Sequence, residues 1–256
     1  MSMNRLARTT PAGHESLTVD QRLDLLVATA RRPRTYRQLI DVFDRIVADP
    51  YLLKTRERLT NALRRNDDCW DLCCVLAAAA ELFQPRTYLE IGVRQGRSAA
   101  IVAAICPAAT LYLLDMWCPQ YAGVENPGPE FVREQLRRVG HHGPVHILSG
   151  RSQETLPALM SRADPPGPFE LMTVDGDHRD AGARADLQNV VAHLAPGGVL
   201  VFDDIAHADY PTLYDTWTRF LAACPELTAR ENRSVATGTA VAMRSLERLS
   251  HRAAGP

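Results

Sequence analysis

Long apolar runs are missing from this chain of 256 residues, and no stretch approaches the roughly 20 uninterrupted apolar residues of a membrane-crossing helix. Met1 to Ala12 also lack the apolar segment of a secretory signal, so a cytoplasmic protein with no membrane partner is expected. Charge of one sign is missing too. The 29 Lys and Arg against 30 Asp and Glu leave a formal −1, which argues against a chain built for the nucleic-acid backbone. The six cysteines, at 69, 73, 74, 106, 118 and 224, include no CxxC pair, so neither a zinc site nor a disulfide framework is expected. Lys54 is the single lysine, a mark of GC-rich coding rather than of chemistry. Repeats and low-complexity segments are absent.

What is present is a globular composition, 46% hydrophobic and 23% charged, enough to bury a core. Charge is uneven along it: residues 1–66 carry 13 basic against 7 acidic side chains, residues 67–256 carry 16 against 23. From Leu17 to Arg65 apolar residues recur at helical spacing, predicting a basic helical cap over 1–66 ahead of a main domain over 67–256. A long helix is predicted from Asp68 to Pro85. Short apolar runs then alternate with helices: Thr87 to Ile91, Thr110 to Leu114, Val145 to Leu148, Phe169 to Val174 and Val199 to Phe202, with helices near 97–105, 130–139, 152–162 and 180–194. That alternation predicts an α/β fold with a doubly wound, mostly parallel sheet. After a helix over Tyr210 to Ala223, the runs Leu227 to Arg230 and Gly238 to Met243 predict an antiparallel pair and bring the sheet to seven strands.

Two constellations carry chemistry. In Leu89-Glu90-Ile91-Gly92-Val93-Arg94-Gln95-Gly96-Arg97-Ser98 a strand ends in a glycine turn that opens a helix, where backbone can approach a ligand and free N–H groups meet a negative group. Position 94 is Arg where a dinucleotide fingerprint would have its second glycine, which counts against a pyrophosphate cofactor. Asp115, ending the next strand, can accept both hydroxyls of a ribose. A ribose without a pyrophosphate points to S-adenosylmethionine. The second constellation is Val174-Asp175-Gly176-Asp177-His178 with Asp203-Asp204, at the ends of two successive strands. Carboxylates converging without a thiolate suit a hard cation, Mg²⁺ or Mn²⁺, with Asp175, Asp203 and Asp204 as ligands. His178, three residues past Asp175, is placed to act as a base with a rate rising through an imidazole-like pKa, and His207 is a second acid/base candidate. The Cys118 to Pro129 loop, rich in Pro and Gly, is expected to fold over the cofactor.

With Gly150-Arg151-Ser152-Gln153 added, these motifs resemble the metal-dependent class I S-adenosylmethionine O-methyltransferases over about residues 68 to 244. The D-G-D-H stretch is most similar to the branch of bacterial sugar O-methyltransferases from natural-product and antibiotic pathways, some labelled cephalosporin hydroxylase. The glycine-turn and Ser-Gln elements are also similar to catechol O-methyltransferase, whose base is a lysine and whose third ligand is Asn, where positions 178 and 204 here are His and Asp. The resemblance implies that Glu90, Gly92, Gly96 and Ser98 line the methionine end of the cofactor, Asp115 its ribose, and Ser152 and Gln153 its adenine. It implies catalysis by Asp175 and His178 on a sugar hydroxyl, and the basic cap tilts the choice toward a nucleotide-linked deoxysugar. The expected partners are a small sugar acceptor and further copies of the chain. A catechol or other phenol acceptor, a metal-dependent oxygenase and a non-catalytic cofactor-binding protein are the rivals.

Overall fold

The computed structural model describes residues 16–120 and 123–246. Three helices come first: α1 (Val19–Ala30), α2 (Pro33–Phe43) and α3 (Pro50–Arg65). A Thr18/Gln21 capping box starts α1, while Asp49 caps α3 ahead of Pro50 and left-handed Asn66 ends it. Helix α4 (Leu72–Phe83) begins four residues after the expected Asp68, because Asp71 is its cap and accepts from the Cys74 N–H. The stretch 66–71 is therefore a loop.

The sheet follows, with β1 (Thr87–Ile91), α5 (Arg97–Ile105), β2 (Thr110–Asp115), α6 (Pro129–Arg138), β3 (Val145–Ser149), α7 (Ser152–Met160) and β4 (Phe169–Val174). The chain continues through α8 (Asp180–Val191), β5 (Leu194–Asp203), α9 (Leu213–Ala223), β6 (Leu227–Asn232) and β7 (Thr239–Arg244). The seven strands lie in the order β3-β2-β1-β4-β5-β7-β6, parallel except for β7 against both its neighbours. All the predicted runs are strands, and the tail pair is antiparallel as expected.

Two boundaries differ for local reasons. Strand β5 starts at Leu194 rather than Val199, passing Pro196 and left-handed Gly197 through a register shift against β4. Helix α9 starts at Leu213 rather than Tyr210, since Pro211 disfavours helical geometry at the residue before it. Tyr210 is thereby left in a turn, close to the functional residues.

A hydrophobic cluster lies on each face of the sheet. One joins Leu23, Leu26, Leu39 and Leu59 of the N-terminal helices to Val75, Leu76, Ile101 and Val102, without a break at residue 66. The other packs Leu156, Leu187, Leu213 and Trp217 on the opposite side. The expected basic cap is thus a packed layer, and its cations find local partners: Arg31 with Asp68, Arg34 with Glu81, Arg56 with Asp44 and Arg58 with Asp71. Strand order reverses between β1 and β4, and in doubly wound sheets that switch point opens a crevice at the carboxyl ends.

Candidate active site

Both predicted constellations meet in that crevice. Gly92 follows β1 with φ +90°, and a Cβ there would overlap the carbonyl oxygen and carbon of Asp175, which follows β4. Gly92 is required by this backbone contact as much as by any ligand. The turn runs on to left-handed Gly96, the N-cap of α5. Glu90 is fully buried in β1, with Oε1 accepting from the Ser98 hydroxyl and Oε2 buried without a partner. Asp115 accepts from the backbone N–H of Arg94 at 2.7 Å and of Trp117 at 2.5 Å. The glycine turn and the end of β2 are thereby one unit. The loop expected to cover the cofactor is tied to it as well: Gln95 Nε2 donates to the Glu125 carbonyl at 2.6 Å, while residues 121 and 122 of that loop lie outside the described residues.

Across the switch point, ligand atoms of Asp175, His178 and Asp204 lie within 4.8 Å of one another. His178 Nε2 is 2.9 Å from Asp204 Oδ2 and 3.4 Å from Asp175 Oδ1. The expected set of Asp175, Asp203 and Asp204 is not what the structure gathers: His178 completes the group, and Asp203 Oδ1 accepts from Thr239 on β7 at 2.7 Å. Successive residues of a strand point to opposite sides, and left-handed Asp204 (φ +64°) turns its carboxylate toward His178 while Asp203 stays on the β7 side. Asp177, next to His178 in sequence, pairs with Arg179.

Electrostatics follow from this packing. Burial opposes charge on His178, but hydrogen bonds to Asp175 and Asp204 and their negative charges outweigh it and raise its pKa to about 10. Burial and the Asp204 charge raise Asp175. Asp204 is also penalised by burial, yet His178 brings it below the ordinary carboxylate range. Oxygen and nitrogen donors at this spacing fit a divalent cation, and in the structure the imidazole holds the two carboxylates together. The His178 ring lies 4.9 Å from Tyr210 and 6.1 Å from His207, so the turn before α9 adds an aromatic wall.

Residues 89–205, which contain both constellations, match the family model described as a methyltransferase domain. The matched stretch runs from β1 to just past β5, a little under half of the chain. Among solved structures, it is similar to the O-methyltransferase TomG from Streptomyces achromogenes, involved in tomaymycin synthesis and solved with SAM. That match has 24% identity, covers 78% of this chain and 92% of TomG, and has a TM-score of 0.55. Cofactor-bound Rv0187 from MTB is 26% identical over 68% of this chain and 78% of its own, with a TM-score of 0.51. The O-methyltransferase from Bacillus cereus, solved with SAH, is 18% identical over 80% of this chain and 95% of its own, with a TM-score of 0.55. No curated protein matches the sequence. The seven-stranded order with antiparallel β7 is the fold shared with these methyltransferases.

Within the matched stretch, Ser152 and Gln153 are held by a partner the sequence did not announce. Both donate to Asp186 Oδ1 on α8, at 2.6 and 2.7 Å. Asp186 is fully buried, and its pKa rises to about 6 because burial outweighs those bonds. A carboxylate on the face shared by Ala183, Leu187 and Val190 was the available signal. Tyr51 and Arg97 were missed as well. Thr55 accepts from Arg97 Nη1 at 3.5 Å, and the Arg97 charge reaches Asp175.

Glu90 yields a pH prediction. Burial, aided by the charges of Asp175 and Asp115 and opposed by the Ser98 hydrogen bond, raises its pKa from 4.5 to about 8. The folded chain then binds more protons than the unfolded chain, so stability declines as pH rises from about 4.5 to about 8. Glu90→Gln should flatten that decline, leaving the unliganded variant more stable than wild type at pH 8. Thermal unfolding at pH 5 and pH 8 checks this, and parallel declines in both proteins would count against it.

Proposed function

We propose that this methyltransferase moves the methyl group of S-adenosylmethionine to a hydroxyl of a sugar acceptor, assisted by a divalent cation held by the Asp175 and Asp204 carboxylates with His178 beside them as base. The observation that carries the reading is the packing of Gly92 against the Asp175 backbone, which makes the cofactor turn and the carboxylate cluster one site. The orphaned Glu90 Oε2 beside Ser98 fits the ammonium end of the cofactor's methionine. Bound there, S-adenosylmethionine supplies an electrophilic methyl on a sulfonium, and a divalent cation supplies charge that favours ionisation of the hydroxyl. The chain's own residues do the rest. Asp115 would take the ribose hydroxyls with its remaining lone pairs, and the Gly92 to Gly96 turn offers backbone to the methionine end. His178 Nε2 would receive the hydroxyl proton: Asp175 and Asp204 hold it as imidazolium in the free site, and a cation taking up those carboxylates would release that proton and leave the nitrogen as the base. Holding these groups in place is the larger part of the expected rate gain.

The sugar choice is supported by a cavity of about 420 Å³ between α3, the 66–71 loop and the β6–β7 turn. Its lining is balanced, Lys54, Arg58 and Arg65 against Glu57, Asp67 and Asp68, as suits a hydroxyl-rich molecule rather than a phosphate. The turn that supplies Ser234 to Ala236 runs on to Thr237, whose side chain hydrogen-bonds Asp204, so the cavity and the cluster lie on either side of one turn of chain. The ring wall of Tyr210 and His207 favours a second reading, a planar phenol. Labelled S-adenosylmethionine offered with matched panels of glycosides and phenols, with and without chelator, tests both. Label on glycosides that is lost on chelation and restored by Mg²⁺ or Mn²⁺ supports the proposal; label on phenols alone supports the second reading; label on neither sinks hydroxyl transfer.

A further inference from the structure

Arg94 occupies the middle of the cofactor turn in the left-handed region, φ +53°, which favours glycine over any side chain with a Cβ. Its amide is one of the two donors to Asp115. Its guanidinium lies 4.2 Å from the centre of the Tyr51 ring on α3, and Nε and Nη2 are buried with no hydrogen-bond partner. With those two nitrogens buried and unpartnered, the half-buried guanidinium draws attraction from the ring face. Tyr51 is not alone in reaching the domain from α3. Positions 51, 55 and 58 share one helical face, and they meet Arg94, Arg97 and Asp71 in turn. Lys54, Asn61 and Arg65 of the same helix line the cavity.

We propose that Tyr51 is a positioning residue of the methyltransferase: by stacking on the Arg94 guanidinium it holds the left-handed residue of the cofactor turn, and so ties the acceptor-side helix to the cofactor site. The proposal rests on the cofactor reading above only for where its effect is felt. Without the ring, the guanidinium loses its contact and can reorient, the backbone of Arg94 relaxes out of the left-handed region, and the N–H to Asp115 is lost. A glycine at 94 adopts the same backbone freely and has no need of the ring.

That contrast supplies the test. Hydrogen exchange at residues 92–96, read by mass spectrometry on the full chain, requires no ligand, and calorimetry with S-adenosylhomocysteine reads the cofactor site. Tyr51→Leu, which keeps bulk without the ring, should speed exchange in the turn and weaken S-adenosylhomocysteine binding about three- to tenfold, the range of a cation–π contact. In an Arg94→Gly background, adding Tyr51→Leu should change neither. Wild-type exchange in Tyr51→Leu overturns the proposal, as does the same loss in both backgrounds, which would mean α3 packing alone. If the wild type binds no S-adenosylhomocysteine, the cofactor reading fails, while the exchange data still decide the role of Tyr51.

Discussion

Gly92→Ala should destabilise the protein by more than about 3 kcal/mol and abolish binding of S-adenosylmethionine, a larger effect than the bulk of single substitutions produce. The new methyl would fall on the carbonyl carbon of Asp175, at 2.5 Å, and on its oxygen. Neither can give way. Asp175 N–H donates to the Ile91 carbonyl, and Gly92 N–H donates to the Leu114 carbonyl, both at 2.9 Å, so the ends of three adjacent strands would have to part. The φ of +90° adds strain for any L side chain. Gly96→Ala is the control at the other end of the turn: its Cβ meets only the Val132 side chain, at 3.0 Å, and the cost should stay near the about 1–2 kcal/mol of left-handed strain. Chemical denaturation measures both. A Gly92→Ala protein within about 1 kcal/mol of wild type would mean that β1 and β4 do not close as described.

Asp175→Asn and Asp204→Asn should each lower turnover by at least about 10²-fold while leaving S-adenosylhomocysteine affinity close to wild type. Each removes half of the negative charge that faces His178, and with it the hardest donors of the cluster. Calorimetric titration with Mn²⁺ should show binding weakened in both. Asp203→Asn should weaken Mn²⁺ binding least, since that carboxylate accepts from Thr239 and acts on the cluster as a neighbouring charge. The opposite order, with Asp203→Asn the most damaging, would restore Asp203 as a ligand. Full turnover after exhaustive chelation would remove the cation from the mechanism.

Gly92 and the carboxylate cluster differ in how much of their role is written in the sequence. Gly92 announces itself, because a glycine directly after the short run Thr87 to Ile91 is a local signal that strand gives way to turn. Its reason does not: the clash is with Asp175, 83 positions further along. Asp203 and Asp204 were visible as a pair at a strand end, but which of the two faces the cluster depends on a left-handed backbone at Asp204 that no composition reveals. His178 was identified as a base by its spacing from Asp175. Its second carboxylate arrives on a different strand.

The amino-acid pattern alone determined the alternation of strands and helices, the glycine turn, the antiparallel tail and the identity of most polar groups in the crevice, because each is written within a few consecutive residues. Tertiary structure alone decided the partnerships. It placed His178 between Asp175 and Asp204, committed Ser152 and Gln153 to Asp186, paired Arg31, Arg34 and Arg58 of the N-terminal helices with acids beyond residue 66, and laid Tyr51 over Arg94. These are contacts between chain segments far apart in sequence, fixed by strand order, by left-handed residues and by which face of a helix is buried, and none of those quantities has a period that a linear reading can detect.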